Sequence, residues 1–161
     1  MGVIKLSKGM VAIVDDADFE WLNKLKWQYH YRGYAYSATY LGGGRANPKY
    51  KKLWMHRLVT DCPEDKIVDH INRDKLDNRR SNLRTCTQSQ NQMNSKIRES
   101  NTSGYRGVNK QGERWMARIR MNGKRLFLGL FDTPQEASKV YELAAKKHYG
   151  EFAGGLTHGN N

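Results

Sequence analysis

The last third of the chain carries the most regular alternation of apolar and polar positions. In ERWMARIRMNGKRLFLGLFD, two alternating runs flank the Asn122–Gly123 pair, which predicts two antiparallel strands joined by a tight turn. Alternation places the apolar residues on one face and the cationic residues on the other, with Phe127 on the cationic side: Trp115, Ala117, Ile119, Met121, Leu126 and Leu128 against Arg118, Arg120, Arg125 and Phe127. We therefore expect a sheet with one packed face and one cationic face.

A helix is predicted directly after this hairpin. The sequence TPQE (Thr133–Glu136) supplies an N-cap threonine, a proline at the first helical position and a capping-box glutamate. Helical spacing then continues to Gly150 with one mainly apolar face: Ala137, Val140, Tyr141, Ala144, Ala145 and His148. That face is expected to cover the apolar side of the sheet and to leave the arginine side bare.

The first half of the chain mixes strand and helix patterns. MVAIVD (Met10–Asp15) is typical of a strand, and Asp15 or Asp16 is a candidate N-cap for a short helix with an inward apolar face: Phe19, Trp21, Leu22 and Leu25. Aromatic and polar residues alternate over Trp27–Tyr40 around a glycine-containing turn, which predicts a β-hairpin, and GGGRANPK after it predicts a loop. These aromatic rings either pack or stack on bases, and their frequency in half-buried strands favours packing.

A polar segment, SKIRESNTSG (Ser95–Gly104), has the composition of a linker. The predicted organisation is therefore a first domain over residues 1–95, a linker at 96–104, a second domain over 105–153 and a tail at 154–161.

The overall charge narrows the class of partner. The chain has 161 residues and a formal net charge of +12, which suits one domain or two small ones that bind a polyanion, nucleic acid first among the candidates. No long apolar run, signal peptide or basic amphipathic helix indicates a membrane, so a cytoplasmic protein of the phage or bacterial kind is expected. Cys62 and Cys86 form no CxxC pair, which predicts buried thiols of a reducing compartment rather than a zinc site.

Polar residues crowd one stretch, IVDHINRDKLDNRRSNLRTCTQSQN, between Ile67 and Asn91. Asp69 and His70 end a short apolar run, and a carboxylate beside an imidazole supplies the metal ligand and the base that phosphodiester hydrolysis needs. LRTCT predicts a second strand, and Thr87 can cap a helix beginning at QSQN, which would turn the Asn91 amide towards Asp69.

Arginines in the same loop are candidate phosphate contacts: Arg73, Arg79 and Arg80. Residue chemistry alone leaves a structural alternative open, because Asp-His pairs also cap loops and Asn-rich turns satisfy their own backbone.

This stretch resembles the HNH nucleases, which have the ββα-metal fold, and more closely the HNH branch of homing endonucleases. The matching segments are MHRLV (Met55–Val59), VDHINRDKLDNRRSNLR (Val68–Arg84) and the helix with Asn91. The resemblance implies that His70 is the general base, that Asp69 binds a divalent metal (Mg²⁺, with Mn²⁺ as the alternative), and that Asn82 braces the loop. Asn91 stands in place of the last histidine and would be the second metal ligand, so the chain has an H-N-N variant of the motif. His56 either supports this site or lies buried and hydrogen-bonded at a helix start, and the second role is slightly favoured.

The last segment resembles the plant ethylene-response-factor (APETALA-type) DNA-binding domain. The match runs from GYRGV (Gly104–Val108) through WMARIR and KRLFLGLFDT to YELAAKKHYGEFA. It implies that three strands lie in the major groove of DNA with these residues at the contact: Arg106, Arg118, Arg120, Arg125 and Phe127. Because Arg118 replaces a glutamate, Phe127 a tryptophan and Asn109 an arginine of the plant domains, their target sequence does not carry over. Trp115 either packs or lies near the DNA.

Together these features predict an α+β fold. Its N-terminal mixed sheet leads into a ββα-metal HNH unit, and a three-stranded antiparallel sheet packed on one helix follows. The predicted function is a metal-dependent, homing-type endonuclease that cuts double-stranded DNA and uses its C-terminal module to recognise the site. The alternative is a sequence-specific DNA-binding regulator with an inactive HNH scaffold; RNA binding fits the charge but has no RNA-module signature.

Overall fold

The computed structural model describes residues 1–121 and 123–155, and it confirms a mixed α+β protein with several small antiparallel sheets. Asn122 of the predicted turn and residues 156–161 of the predicted tail lie outside the described residues. Two compact units divide the chain, Met1–Cys86 and Thr87–Asn161.

The first unit contains three small antiparallel sheets and two short helices. The elements are β1 (Gly2–Lys5), β2 (Val11–Val14), α1 (Asp16–Leu22), β3 (Gln28–Tyr29), β4 (Ala35–Gly42), β5 (Lys49–Trp54), α2 (Met55–Thr60), β6 (Ile67–His70) and β7 (Leu83–Cys86). Strand β1 pairs with β2, β3–β4–β5 form a three-stranded sheet, and β6 pairs with β7.

A single apolar cluster holds the first unit together, drawn from its strands and helices: Ile4, Ala12, Val14, Leu22, Trp27, Ala35, Met55, Val59, Val68 and Leu83 among others. The predicted strand and helix at its start are confirmed, but two of the residues expected to pack inward do not. Trp21 and Leu25 are 38% and 37% exposed. The reason is the short helix, which ends at Leu22 and so leaves Leu25 off its inner face, while the Trp21 indole donates to Asp18 (3.1 Å).

The predicted hairpin around the glycine turn is confirmed as β3 and β4, in which Tyr29 pairs with Ala35. Strand β5 was not foreseen, and it pairs antiparallel with β4. The loop predicted at GGGRANPK connects β4 to β5, and Gly43 there has φ +98°. A Cβ on Gly43 would lie 2.0 Å from the Asn47 carbonyl oxygen, so this tight loop requires glycine.

The second unit joins a short helix to a three-stranded sheet and a longer helix. Its elements are α3 (Gln88–Asn94), β8 (Val108–Gln111), β9 (Arg114–Met121), β10 (Lys124–Phe131) and α4 (Pro134–Tyr149), with strand order β10-β9-β8. The capping box of Thr133 and Glu136 is confirmed at the start of α4, and Thr87 forms another with Gln90 at the start of α3.

Helix α4 covers the apolar face of this sheet. Buried Ala137, Tyr141 and Ala145 pack with residues of β9 such as Ala117 and Ile119. His148 was expected on this face but is exposed, because the next residue, Tyr149, turns inward and donates its hydroxyl hydrogen to the Arg120 carbonyl oxygen.

Candidate active site

Asp69 and His70 are the last two residues of strand β6, next to the loop that connects β6 to β7, and each is only 5% exposed. Antiparallel pairing sets Asp69 opposite Arg84 and His70 opposite Leu83. Adjacent residues on a strand point to opposite faces, so the carboxylate and the imidazole begin from different sides of the hairpin.

Asn82 organises the polar loop that follows His70. Its side-chain oxygen accepts from the backbone N–H of Asn72 (2.9 Å), and its amide nitrogen donates to the backbone oxygen of Asp77 (2.8 Å). Its own carbonyl accepts from the N–H of Ile71 (2.9 Å). One buried amide thus ties together three points of the loop, which explains why the segment is rich in polar residues.

The same loop is also fixed to strand β2. The N–H of Ile13 donates to the Leu76 carbonyl (2.8 Å), and the N–H of Asn78 donates to the Ile13 carbonyl (2.7 Å). These two hydrogen bonds pair four backbone groups, and the loop gains a fixed edge. The first 20 residues therefore help to position His70.

His70 lies among aromatic rings. Its ring centroid is 5.4 Å from that of His56 and 6.0 Å from that of Tyr34. Burial lowers the pKa of His70, because removing water penalises the charged ring. The Asn78 side chain and three acidic residues act in the opposite direction and raise this pKa: Asp69, Asp74 and Asp77. His70 is therefore a neutral base at neutral pH, surrounded by groups that favour the proton once it arrives.

Asn78 is almost fully buried, at 1% exposure. Its amide nitrogen donates to the Leu76 carbonyl (3.1 Å). Within the described residues, its side-chain oxygen has no partner at hydrogen-bond distance, although the side chain lies near enough to His70 to favour the protonated ring.

His56 is the second residue of helix α2, is buried, and borders His70, so its position agrees with part of each role considered for it. Burial lowers the pKa of His56 to about 3, and the charges of His70 and Arg57 act in the same direction. In the part of the chain that the structure describes, no hydrogen-bond partner reaches its Nδ1 atom. His56 is accordingly neutral at neutral and mildly acidic pH.

Sequence reasoning missed Arg84, which binds the candidate metal ligand. Its Nε and Nη2 atoms both donate to Oδ2 of Asp69, at 2.9 and 2.8 Å. Both side chains are buried, at 11% and 6% exposure, so this ion pair fixes the carboxylate far more firmly than a surface pair would. The sequence indicated Arg84 only through the NLR motif. That Arg84 lies opposite Asp69 follows from the register of β6 and β7, which the sequence alone does not give.

The candidate phosphate contacts of the loop are held internally. Arg79 binds Asp77 (Nη2 to Oδ2, 2.6 Å), and Arg80 binds Asp18 of α1 through two hydrogen bonds of 2.8 Å. Arg80 in turn lowers the pKa of Asp18. The side chains of Arg79 and Arg80 are nonetheless 39% and 58% exposed, and Arg73 is exposed in the left-handed region (φ +66°). Their role at phosphates stays a prediction.

Few side-chain atoms at this hairpin are suitable ligands for a hard divalent cation. No group of three His, Cys, Asp or Glu side chains is placed to hold a metal among the described residues. Asp69 supplies one carboxylate, and any second ligand must come from an amide or from water, an arrangement that Mg²⁺ accepts. Asn91 lies half-buried on α3, in the second unit.

In the second unit, the predicted cationic face forms across β9 and β10. Arg120 pairs with Arg125, and Arg118 pairs with Phe127, whose ring is 62% exposed. Arg106 is placed differently, since its guanidinium donates to the carbonyl oxygens of Gln92 and Ser95 near the end of α3. Trp115 is partly buried against the cluster of Val108, Ala117 and Ala137.

Comparison with known proteins agrees with this arrangement. The family model described as HNH endonuclease matches residues 54–93. The chain is 33% identical over 153 residues to an uncharacterised HNH endonuclease of Acanthamoeba polyphaga mimivirus, covering 91% of the chain and 74% of that relative. The chain belongs to the HNH endonuclease family. This HNH endonuclease is also 30% identical over 93 residues to protein 3.8 of Escherichia phage T7, 76% of whose length is covered.

Membership of the family makes the protein a nuclease and implies DNA as its substrate. HNH nucleases generally use a divalent metal ion. Another relative matches only part of the HNH endonuclease: dehydration-responsive element-binding protein 2A of Arabidopsis thaliana, 43% identical over 58 residues, which is 34% of the chain and 17% of the plant protein. Among the described residues, no helix is long and apolar enough to cross a membrane.

Proposed function

We propose that this HNH endonuclease is a homing-type enzyme that hydrolyses double-stranded DNA with a divalent metal, His70 acting as the general base. The observation that carries the proposal is the buried, neutral imidazole of His70 beside the Asp69 carboxylate, on a loop braced by Asn82. β6, β7 and α3 would then be the two strands and the helix of the ββα-metal motif.

In this mechanism, His70 removes a proton from the attacking water, which it can do because burial keeps the ring neutral. The imidazolium that results is stabilised by the Asn78 side chain and the nearby carboxylates of Asp69 and Asp77. The loop hydrogen bonds of Asn82 hold the ring in place throughout.

The Asp69 carboxylate and the Asn91 amide would hold the metal, Mg²⁺ or Mn²⁺. When bound, the ion supplies neutralisation of charge on the phosphate and the leaving oxygen. The two hydrogen bonds that Arg84 donates to Oδ2 of Asp69 help to keep the carboxylate in one orientation. Asn91 enters the proposal through its spacing in the motif alone.

Site recognition is assigned to residues 105–153, joined to a nuclease domain of residues 1–95 by the segment 96–104. The support is the cationic face of the sheet, on which Arg120, Arg125 and Phe127 are exposed and Arg118 is half-buried, together with twelve Lys or Arg against five Asp or Glu between residues 96 and 150. Arg106, Arg73, Arg79 and Arg80 would add phosphate contacts.

Plasmid cleavage with and without EDTA tests the catalytic proposal. His70→Ala should abolish cutting and leave DNA affinity close to wild type, because a general base acts in the chemical step. His148→Ala, which removes an exposed histidine of α4, is the matched control and should cut normally. A wild-type protein that binds DNA but never cuts it in Mg²⁺ or Mn²⁺ would instead support a regulator with an inactive HNH scaffold.

Recognition is tested by replacing Arg118 or Arg120 with alanine in the full chain. Each substitution should cost roughly 1–3 kcal/mol of binding free energy at particular base positions if the arginine contacts a guanine edge. Lys139→Ala, at an exposed position of α4, is the control. Equal affinities of all three variants for specific and scrambled duplexes would place recognition elsewhere.

A further inference from the structure

Strands β4 and β5 extend beyond the core of the first unit as a two-stranded ribbon, which we define as residues 39–52. Core contact ends at Ala35 and Ser37 on β4 and at Met55 after β5. All ribbon residues are exposed except Gly42, which is half-buried. A strand of a globular domain ordinarily packs one face on the core, so a ribbon with both faces in solvent is built for a partner.

The ribbon is strongly cationic. It carries Arg45, Lys49, Lys51 and Lys52, and the chain contains no acidic residue between Glu20 and Asp61. Eight lysines and arginines lie in that same interval. A surface of this charge selects a polyanion.

Internal contacts give the ribbon a defined shape. The rings of Tyr40 and Tyr50 face each other across the strands at 5.5 Å, and the Tyr40 hydroxyl accepts from the N–H of Gly44 (3.1 Å). Lys52 lies over the Tyr36 ring at 5.2 Å. The tyrosines are therefore engaged with one another rather than spread as separate stacking platforms for single-stranded bases.

An unbroken series of ring contacts connects the base of the ribbon to the candidate catalytic histidine. Tyr36 contacts Trp54 (5.7 Å), Trp54 contacts His56 (6.2 Å), and His56 contacts His70 (5.4 Å). A ligand lying along the ribbon would consequently lie next to the reacting phosphate.

We propose that the ribbon enters the major groove of double-stranded DNA beside the scissile phosphate and provides a binding surface of the first unit, separate from the C-terminal sheet. The major groove admits a two-stranded β-ribbon, and the lysines and Arg45 would then neutralise the phosphates along its walls. This inference rests on the proposed function, since it takes the cut DNA as the partner.

The test uses the full chain with His70→Ala, so that binding is measured without cleavage. Lys49→Gln with Lys51→Gln is compared with Lys5→Gln and Lys24→Gln, which remove the same charge from exposed positions outside the ribbon. A plot of the logarithm of the association constant against the logarithm of the salt concentration falls with salt on duplex DNA. The ribbon variant should make this fall less steep by about two units, and the control should not. Methylation of guanine N7 beside the cut should weaken binding of the parent protein but not of the ribbon variant. Circular dichroism verifies the fold of each protein.

Equal salt slopes for the ribbon and control variants would overturn the inference, and so would a loss of affinity confined to single-stranded DNA. Cleavage by the protein with His70 intact is measured in parallel to separate the two proposals. Normal cleavage with unchanged duplex slopes rejects the ribbon alone. The remaining outcome is that the ribbon variant shows a less steep salt dependence and no effect of N7 methylation, while the protein with His70 intact never cuts. That outcome supports the ribbon proposal and rejects the proposed cleavage.

Discussion

His56 should make the first unit sensitive to mild acid. Its pKa is about 3 in the folded protein, against an ordinary histidine value of 6.5. Between these values the unfolded chain binds a proton that the folded chain does not, so the free energy of unfolding falls as pH is lowered from about 6.5. The first unit is therefore most stable above about pH 6.5, and its free energy of unfolding falls progressively as the pH is lowered from there towards about 3.

The magnitude follows from the pKa difference. Each unit is worth about 1.4 kcal/mol, so the change from pH 7 to pH 5 should cost about 2 kcal/mol through His56 alone. A folded pKa one unit higher or lower hardly changes this figure, because pH 5 lies well above it. Such a loss is a large fraction of the stability of a small domain.

The assay is urea unfolding at pH 7 and pH 5 of the wild type, His56→Leu and His148→Gln. Leucine removes the titrating ring from a buried site, so His56→Leu should lose about 2 kcal/mol less than wild type on acidification, whatever its stability at pH 7. His70 contributes equally in both proteins and cancels from the difference. His148→Gln should follow the wild type. An identical acid loss in wild type and His56→Leu would show that His56 is not buried in its neutral form.

Three further predictions concern the ion pair, the metal ligands and the second unit. Arg84→Ala should destabilise the first unit by roughly 1–3 kcal/mol in urea unfolding, because Asp69 loses a buried cationic partner. Asp69→Ala and Asn91→Ala should each raise the Mg²⁺ or Mn²⁺ concentration needed for cleavage, and an unchanged metal titration in both would reject the proposed ligands. Gly107→Ala should destabilise the second unit by roughly 2–4 kcal/mol. The new Cβ would lie 2.1 Å from the ring of buried Tyr141, and the backbone of Gly107 has φ +69°, which residues other than glycine rarely adopt. Gly112→Ala, with φ +58° but open space around it, should lower the melting temperature much less.

Features encoded within a few residues were predictable from the sequence. The capping box of Thr133 and Glu136 and the alternation through Arg118 and Ile119 depend only on neighbours along the chain, and the structure has them where the pattern indicated. The position of Asp69 and His70 at the end of a strand was predictable in the same way, because a short apolar run leads directly into them.

Features that depend on pairing between distant segments were not predictable. Strand β5, KYKKLW, has too many lysines to show strand periodicity, and it forms because β4 is available to pair with it. The contact of Arg84 with Asp69 follows from the β6–β7 register, and that of Arg80 with Asp18 joins residues 62 positions apart. Trp21 failed as a predicted core residue because residues two apart on a helix do not share a face, so the helix that packs Phe19 and Leu22 inward leaves Trp21 partly in solvent.

The attachment of the polar loop after His70 to β2 bears on how such nucleases can be recombined. The recognisable family segment begins at residue 54, yet its loop is held by partners that lie before it, through backbone hydrogen bonds to Ile13 and the bidentate pair of Arg80 with Asp18. A gene fusion that transplanted only the recognisable segment would carry every motif residue and still lack the edge against which the loop is set. The portable unit for engineering is therefore larger than the motif, and a productive breakpoint must lie upstream of β2.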